Sequence, residues 1–165
     1  MSKRKKILFV LPSLRSGGAE RVLITLMNNI DRSHFDPSFL AISEYGSISR
    51  LLDPNIPFDT LKVRTYLFAL PKLYSFIRTL DPDVIVTTMA HANFLILMLK
   101  PFFPNIQFII REAITPSFIM SQHPILAPLI KMAYRYFYKK ADIILSPAQV
   151  IVDEFINDLG MHTHN

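Results

Sequence analysis

Short, unbroken apolar runs alternating with stretches of helical periodicity constrain this chain more than any other feature. Residues 7–11, Ile-Leu-Phe-Val-Leu, have no polar interruption, and Val84–Thr88, 107–110 and Ile143–Leu145 are similar runs whose only polar residues are Thr87, Thr88 and Gln107. A strand that is apolar at every position is buried on both faces, as in a parallel sheet covered by helices. Residues 39–43 and 58–63 read as two further strands. Between them, residues 19–29, 70–80, 92–99 and 125–140 place apolar side chains at helical spacing. Ser146-Pro147 reads as an N-cap followed by proline in the first turn, and Gly160 as the stop of that last helix. The expected fold is α/β: a single doubly wound parallel sheet with helices on both faces, in one domain spanning residues 1–165.

Composition narrows the function classes. Half of the 165 residues are apolar, enough for a full core, and there is no cysteine, which excludes disulfides and thiolate metal sites. The net charge of +5 favours anionic partners. The cations cluster at Lys3–Lys6 and again from residue 100 to 140, where Glu112 is the single acid. The N-terminal basic run before residues 7–11 imitates a signal peptide. It lacks a small-residue cleavage site and runs into Arg15 and Gly17-Gly18, so export is not expected. Residues 94–99 are far short of the ~20 apolar residues that cross a bilayer. The expected location is cytoplasmic, with the inner membrane face as a peripheral site.

Two elements carry chemistry. Residues 11–21, Leu-Pro-Ser-Leu-Arg-Ser-Gly-Gly-Ala-Glu-Arg, follow the first strand and open the first helix. Two glycines at a helix start bring backbone N–H groups close to an anion, although a tight turn with Glu20 complementing the dipole explains the same residues. The dinucleotide fingerprint and the P-loop lysine are both absent. On a helix over 125–140, Lys131, Arg135 and Lys139 form one stripe beside Tyr134 and Tyr138, with Leu126, Leu129, Ile130, Ala133 and Phe137 as the expected buried face. That stripe suits either an anionic membrane surface, with Phe118–Met120 and 124–126 as insertion residues, or an ordinary solvated face. Asp81-Pro82-Asp83 reads as a helix stop rather than a metal site.

Four segments in order resemble the family-4 retaining glycosyltransferases: KILFVLPSLRSGGAER at 6–21, DPDVIVTTMAHAN at 81–93, FIIREAITPS at 108–117 and ADIILSPAQVIVDEFINDLG at 141–160. The resemblance spans nearly the whole chain. It implies the Rossmann-like N-terminal, acceptor-side half of a GT-B fold, in an enzyme transferring a sugar from a nucleotide-diphosphate sugar to a glycan or lipid-linked acceptor with retention. It implies no metal and no cofactor beyond that donor. Carried over residue by residue, Arg15, Ser16, Gly17 and Gly18 would meet the donor's diphosphate, and His91, Asn93, Arg111, Glu112 and Thr115 would line the same cleft. Arg111 and Glu112 also fit a simple ion pair. Thr87, Thr88 and Met89 stand where the family often has its sugar-contacting histidine, so no catalytic residue is assigned. The donor-binding C-terminal half, with its Glu-x7-Glu signature, has no counterpart in these residues, and the chain alone is expected not to turn over. The alternatives are a non-catalytic membrane-docking module of the same fold and half of a sugar-nucleotide 2-epimerase. Nucleic acid is not an expected partner, because no recognised nucleic-acid motif accompanies the basic stripe.

Overall fold

The computed structural model describes residues 3–44, 46–63 and 68–161. Its strands are β1 (Lys5–Leu11), β2 (Phe35–Ala41), β3 (Phe58–Thr60), β4 (Val84–Thr88), β5 (Gln107–Arg111) and β6 (Ile143–Leu145). Its helices are α1 (Gly18–Asn29), α2 (Ala69–Leu80), α3 (Ala90–Leu99), α4 (Pro116–Gln122), α5 (Ala127–Phe137) and α6 (Gln149–Asn157). The strands form one sheet in the order β3-β2-β1-β4-β5-β6, and every pairing is parallel. The expected doubly wound sheet is therefore present.

Alternation along β1 divides the core. Leu8 and Val10 enter one apolar layer; Ile7, Phe9 and Leu11 enter the other. The first layer is closed by Leu73 and Ile77 of α2, Ile96 of α3, Tyr134 of α5 and Phe155 of α6. The second is closed by Leu23, Ile24 and Met27 of α1. Truncating a buried leucine such as Leu8 to alanine would cost about 2–5 kcal/mol, because transfer and cavity terms add.

Polar ties set the strand ends. Asp83 takes the backbone N–H of Lys6 on its carboxylate (2.8 Å) and donates its own N–H to the Lys6 carbonyl (2.9 Å), pinning β4 on β1. The acid after Pro82 thus has a structural task, and α2 stops at Asp81 in the left-handed region. Lys100, part of the second basic cluster, is spent on Asp142 (2.6 Å) and on the carbonyl of Ile106 (2.8 Å).

Several expectations need correction. The second strand begins at Phe35 rather than 39, and the third ends at Thr60. α6 begins at Gln149 with Ala148 as N-cap, so Ser146-Pro147 does not open it. Gly160 lies in the left-handed region (φ +66°) two residues beyond the C-cap Asp158, and Met161 N–H reaches back to the Phe155 carbonyl at 2.9 Å, so the expected glycine stop falls just after the helix end. The helix expected over 125–140 is α5 flanked by single 3-10 turns at Pro124–Leu126 and Tyr138–Lys140. Its buried face is also rotated from the expected one. Tyr134 and Tyr138, expected beside the cations, are fully buried, while Leu126 and Leu129 are exposed.

Candidate functional site

The sheet order reverses between β1 and β4: the chain leaves β1 towards β2 and leaves β4 towards β5. Loops that diverge from neighbouring carboxyl ends open a crevice there, the usual ligand position in open α/β sheets. A cleft of about 860 Å³ occupies this place. Arg15, Ser16, Gly17 and Gly18 form one wall, Met89, His91 and Glu112 the middle, and Ile114, Ile119 and Ile130 the far apolar wall.

The glycine loop is held by its neighbours. Leu14 is buried, pairs with Gly46, and accepts the Ile48 N–H on its carbonyl (3.0 Å). Arg21 reaches back with Nε and Nη2 to Ser16 Oγ (3.2 and 3.1 Å), fixing the residue before the glycines. Gly17 is the N-cap of α1 in extended backbone, and no side chain caps it. The first-turn N–H groups of a helix have no intrahelical partner, and this helix start lines the cleft. A β-carbon on Gly17 would stand 2.4 Å from Glu20 Oε2, so the Glu20 carboxylate lies folded over this glycine. Glu20 is buried, and its charge opposes the desolvation that lowers the pKa of His91. His91 thus sits beside an acid as a predominantly neutral imidazole near pH 7.

Gly18 differs, because a β-carbon there meets nothing within 4 Å. Gly18→Ala should fold at least as well as the parent, since alanine is favoured inside helices by up to about 1 kcal/mol. If a phosphate must approach this backbone, the added methyl blocks it. Thermal melts with and without inorganic pyrophosphate should show stabilisation of the parent and none of the variant.

Below the cleft lies a buried polar cluster. Glu112, 1% exposed, accepts hydrogen bonds from the Tyr138 hydroxyl and, at 3.5 Å, from the Asn93 amide. Asn93 Nδ2 also reaches the Tyr138 hydroxyl (3.2 Å) and the Arg111 carbonyl (3.1 Å). Burial raises the pKa of Glu112, while Tyr138, the N–H groups of Ala113 and Ile114, and Asn93 pull it down. The cluster ties α3, the end of β5 and the turn after α5 to one point under the site.

Of the residues expected in the cleft, Arg15, Ser16, Gly17, Gly18, His91 and Glu112 line it together. Asn93 is fully buried beneath them. Arg111 extends to Thr88 Oγ1 (3.4 Å) rather than pairing with Glu112. Thr115 is the N-cap of α4, accepting the Phe118 N–H at 3.4 Å. Sequence reasoning missed Glu20, Met89 and His123 as lining residues. Met89 has φ +74°, a costly conformation for a side-chain-bearing residue and a frequent mark of functional sites. No sequence signal announces it.

A parallel sheet with a crevice at its switch point and a glycine loop opening α1 defines a Rossmann-like α/β domain. The chain belongs to glycosyltransferase family 4, whose sequence profile matches residues 16–164. No curated protein matches it in sequence. Solved structures share the fold at low identity. MurG of Acinetobacter baumannii is 16% identical with a TM-score of 0.61, covering 87% of this chain and 42% of its own. MnaA of S. aureus, solved with UDP, is 12% identical with a TM-score of 0.66, covering 96% and 43%. The UDP-GlcNAc 2-epimerase of Methanocaldococcus jannaschii is 11% identical with a TM-score of 0.64, covering 95% and 43%. The chain spans less than half the length of each of these three structures. Among the described residues, no helix is long and apolar enough to cross a membrane.

Proposed function

We propose that residues 1–165 form the N-terminal, acceptor-side domain of a glycosyltransferase that moves a sugar from a nucleotide-diphosphate sugar to a glycan or lipid-linked acceptor with retention. The observation that carries this reading is the uncapped start of α1 at the switch-point cleft, with Gly17 and Gly18 on its edge. First-turn N–H groups and the helix dipole would stabilise charge on the departing diphosphate, and Arg15 would add a cation. The glycan or acceptor lipid would lie against the apolar wall of Ile114, Ile119 and Ile130, which suits the faces of sugar rings or a prenyl-like chain. The domain's part is then positioning and charge stabilisation. The donor's base and sugar would be held by a C-terminal domain outside these residues, and the chain alone would not turn over. The proposed location is the cytoplasmic side of the membrane.

The test begins with the reading frame beyond codon 165 and an assay of its full product with nucleotide sugars. Sugar transferred to an acceptor hydroxyl, with the donor's anomeric configuration kept, supports the proposal. An isomerised nucleotide sugar formed without acceptor replaces it with the 2-epimerase reading. A frame without a donor-binding domain, and no reaction, leaves a non-catalytic docking module.

A further inference from the structure

α5 has two apolar faces. At about 100° per residue, Ile130, Tyr134, Phe137 and Tyr138 point to one side, where Tyr134, Phe137 and Tyr138 surround Phe94 of α3. Leu129, Met132 and Tyr136 point to the other side, with exposures of 57%, 61% and 61%. Ile125, in the 3-10 turn just before α5, extends the stripe and is 93% exposed. α4, packed against α5, adds Phe118 at 54%. A surface helix of a folded domain normally turns one apolar stripe inward and keeps the other side polar. Here the outward side is apolar as well, and contiguous exposed apolar surface of this kind marks an interaction site.

The charge around the stripe selects its occupant. Lys131, Arg135 and Lys139 border it on one side and Lys140 on the other, and residues 113–140 contain no aspartate or glutamate. α6 carries two acids that are hydrogen-bonded to neutral partners, and Asp158, just beyond α6, meets α5 through its backbone carbonyl. Glu154 takes the N–H and hydroxyl of Ser117 (2.9 and 2.6 Å), Asp153 takes the Gln149 amide (2.9 Å), and the Asp158 carbonyl takes Arg135 (2.9 Å). Lys140 Nζ lies 4.2 Å from the centre of the Tyr136 ring, a cation and an amphipathic aromatic presented together. A second copy is disfavoured, because a two-fold contact through this stripe would set its cations against their own copies.

We infer that the outward face of α5, with Ile125, Leu129, Met132 and Tyr136 at its centre, docks on an anionic bilayer surface. The apolar side chains enter the headgroup boundary and the flanking cations meet lipid phosphates. α5 thus turns Ile130 towards the cleft and Leu129, Met132 and Tyr136 outward, so one helix carries both surfaces. The inference deepens the proposed acceptor class but requires no step of sugar transfer. A failed transfer assay with intact docking removes the proposed function alone.

The experiment is co-sedimentation of the chain with vesicles of phosphatidylcholine and phosphatidylglycerol, against phosphatidylcholine alone. Binding should favour the anionic vesicles by about tenfold or more and weaken with salt. Leu129→Ser with Met132→Ser, and separately Lys131→Glu with Lys139→Glu, should each lower it about tenfold. None of these side chains is buried, so circular-dichroism melts should stay close to the parent's. Equal binding to both vesicles, or anionic binding untouched by the Leu129→Ser, Met132→Ser pair, overturns the inference. So does a dimer in sedimentation velocity that this pair dissolves, which would make a second copy the occupant.

Discussion

Gly46→Ala is expected to destabilise the protein by about 2–4 kcal/mol and to disable the distant glycine loop at Gly17-Gly18. Gly46 has φ +117°, and a β-carbon there would lie 1.9 Å from the carbonyl oxygen of Leu14. That neighbour is backbone, which cannot swing aside as a side chain can. The same carbonyl accepts the Ile48 N–H, so relief of the clash must move the loop that leads from β1 to Gly17. Gly160→Ala is the control. Its φ is also positive, +66°, but a β-carbon meets nothing within 4 Å, so only the left-handed strain of about 1 kcal/mol applies. Urea denaturation of both variants separates the two cases. Equal losses would mean that the Leu14–Gly46 contact does not hold the loop.

Tyr138→Phe is expected to cost about 2 kcal/mol near neutral pH and less in acid. The hydroxyl is the foremost hydrogen-bond donor to the Glu112 carboxylate, and phenylalanine leaves that carboxylate buried with weaker compensation. The sign follows from the raised pKa of Glu112. Folding holds the Glu112 proton more tightly than the unfolded chain does. Its contribution is full below the ordinary carboxylate value of 4.5 and is lost as pH rises through the folded value. The variant raises the folded value further, so its penalty grows with pH. Denaturation midpoints across an acid-to-neutral series measure this, and a penalty independent of pH would show that Glu112 does not ionise against Tyr138.

The central sheet was legible because β1 and β4 need apolar residues on both faces, and nothing else in the chain competes for that reading. β2 was half hidden by Asp36 and Pro37. Pro37 is tolerated because β3 pairs only with Phe39–Ala41, so the missing N–H faces an open edge. Thr115-Pro116 and Ser146-Pro147 carry the same capping signal, yet only the first opens a helix. Local chemistry permits a cap, and packing decides whether one is used.

The cleft was legible at the glycine loop and at His91, because both follow strand ends at the switch point. Glu112 was placed in the cleft, but its partner was misread. Arg111 is adjacent in sequence, whereas Tyr138 arrives from 26 residues away. The face of α5 failed for a related reason. Both sides of that helix are apolar, and aliphatic residues look like the safer core. The inner side is aromatic because Phe94 needs ring neighbours and Glu112 needs a hydroxyl. Neither demand is visible within α5 itself.

The central claim is that the loop ending in Gly17-Gly18 receives a diphosphate at the switch point of the sheet. The most direct measurement is an amide-resolved NMR titration of the chain with inorganic pyrophosphate and with UDP. Saturable shifts are expected at the N–H groups of Ser16, Gly17, Gly18 and Ala19 and at His91, all abolished by Gly18→Ala. Silent amides at residues 16–19, with shifts confined to the basic residues 131–140, would contradict the claim.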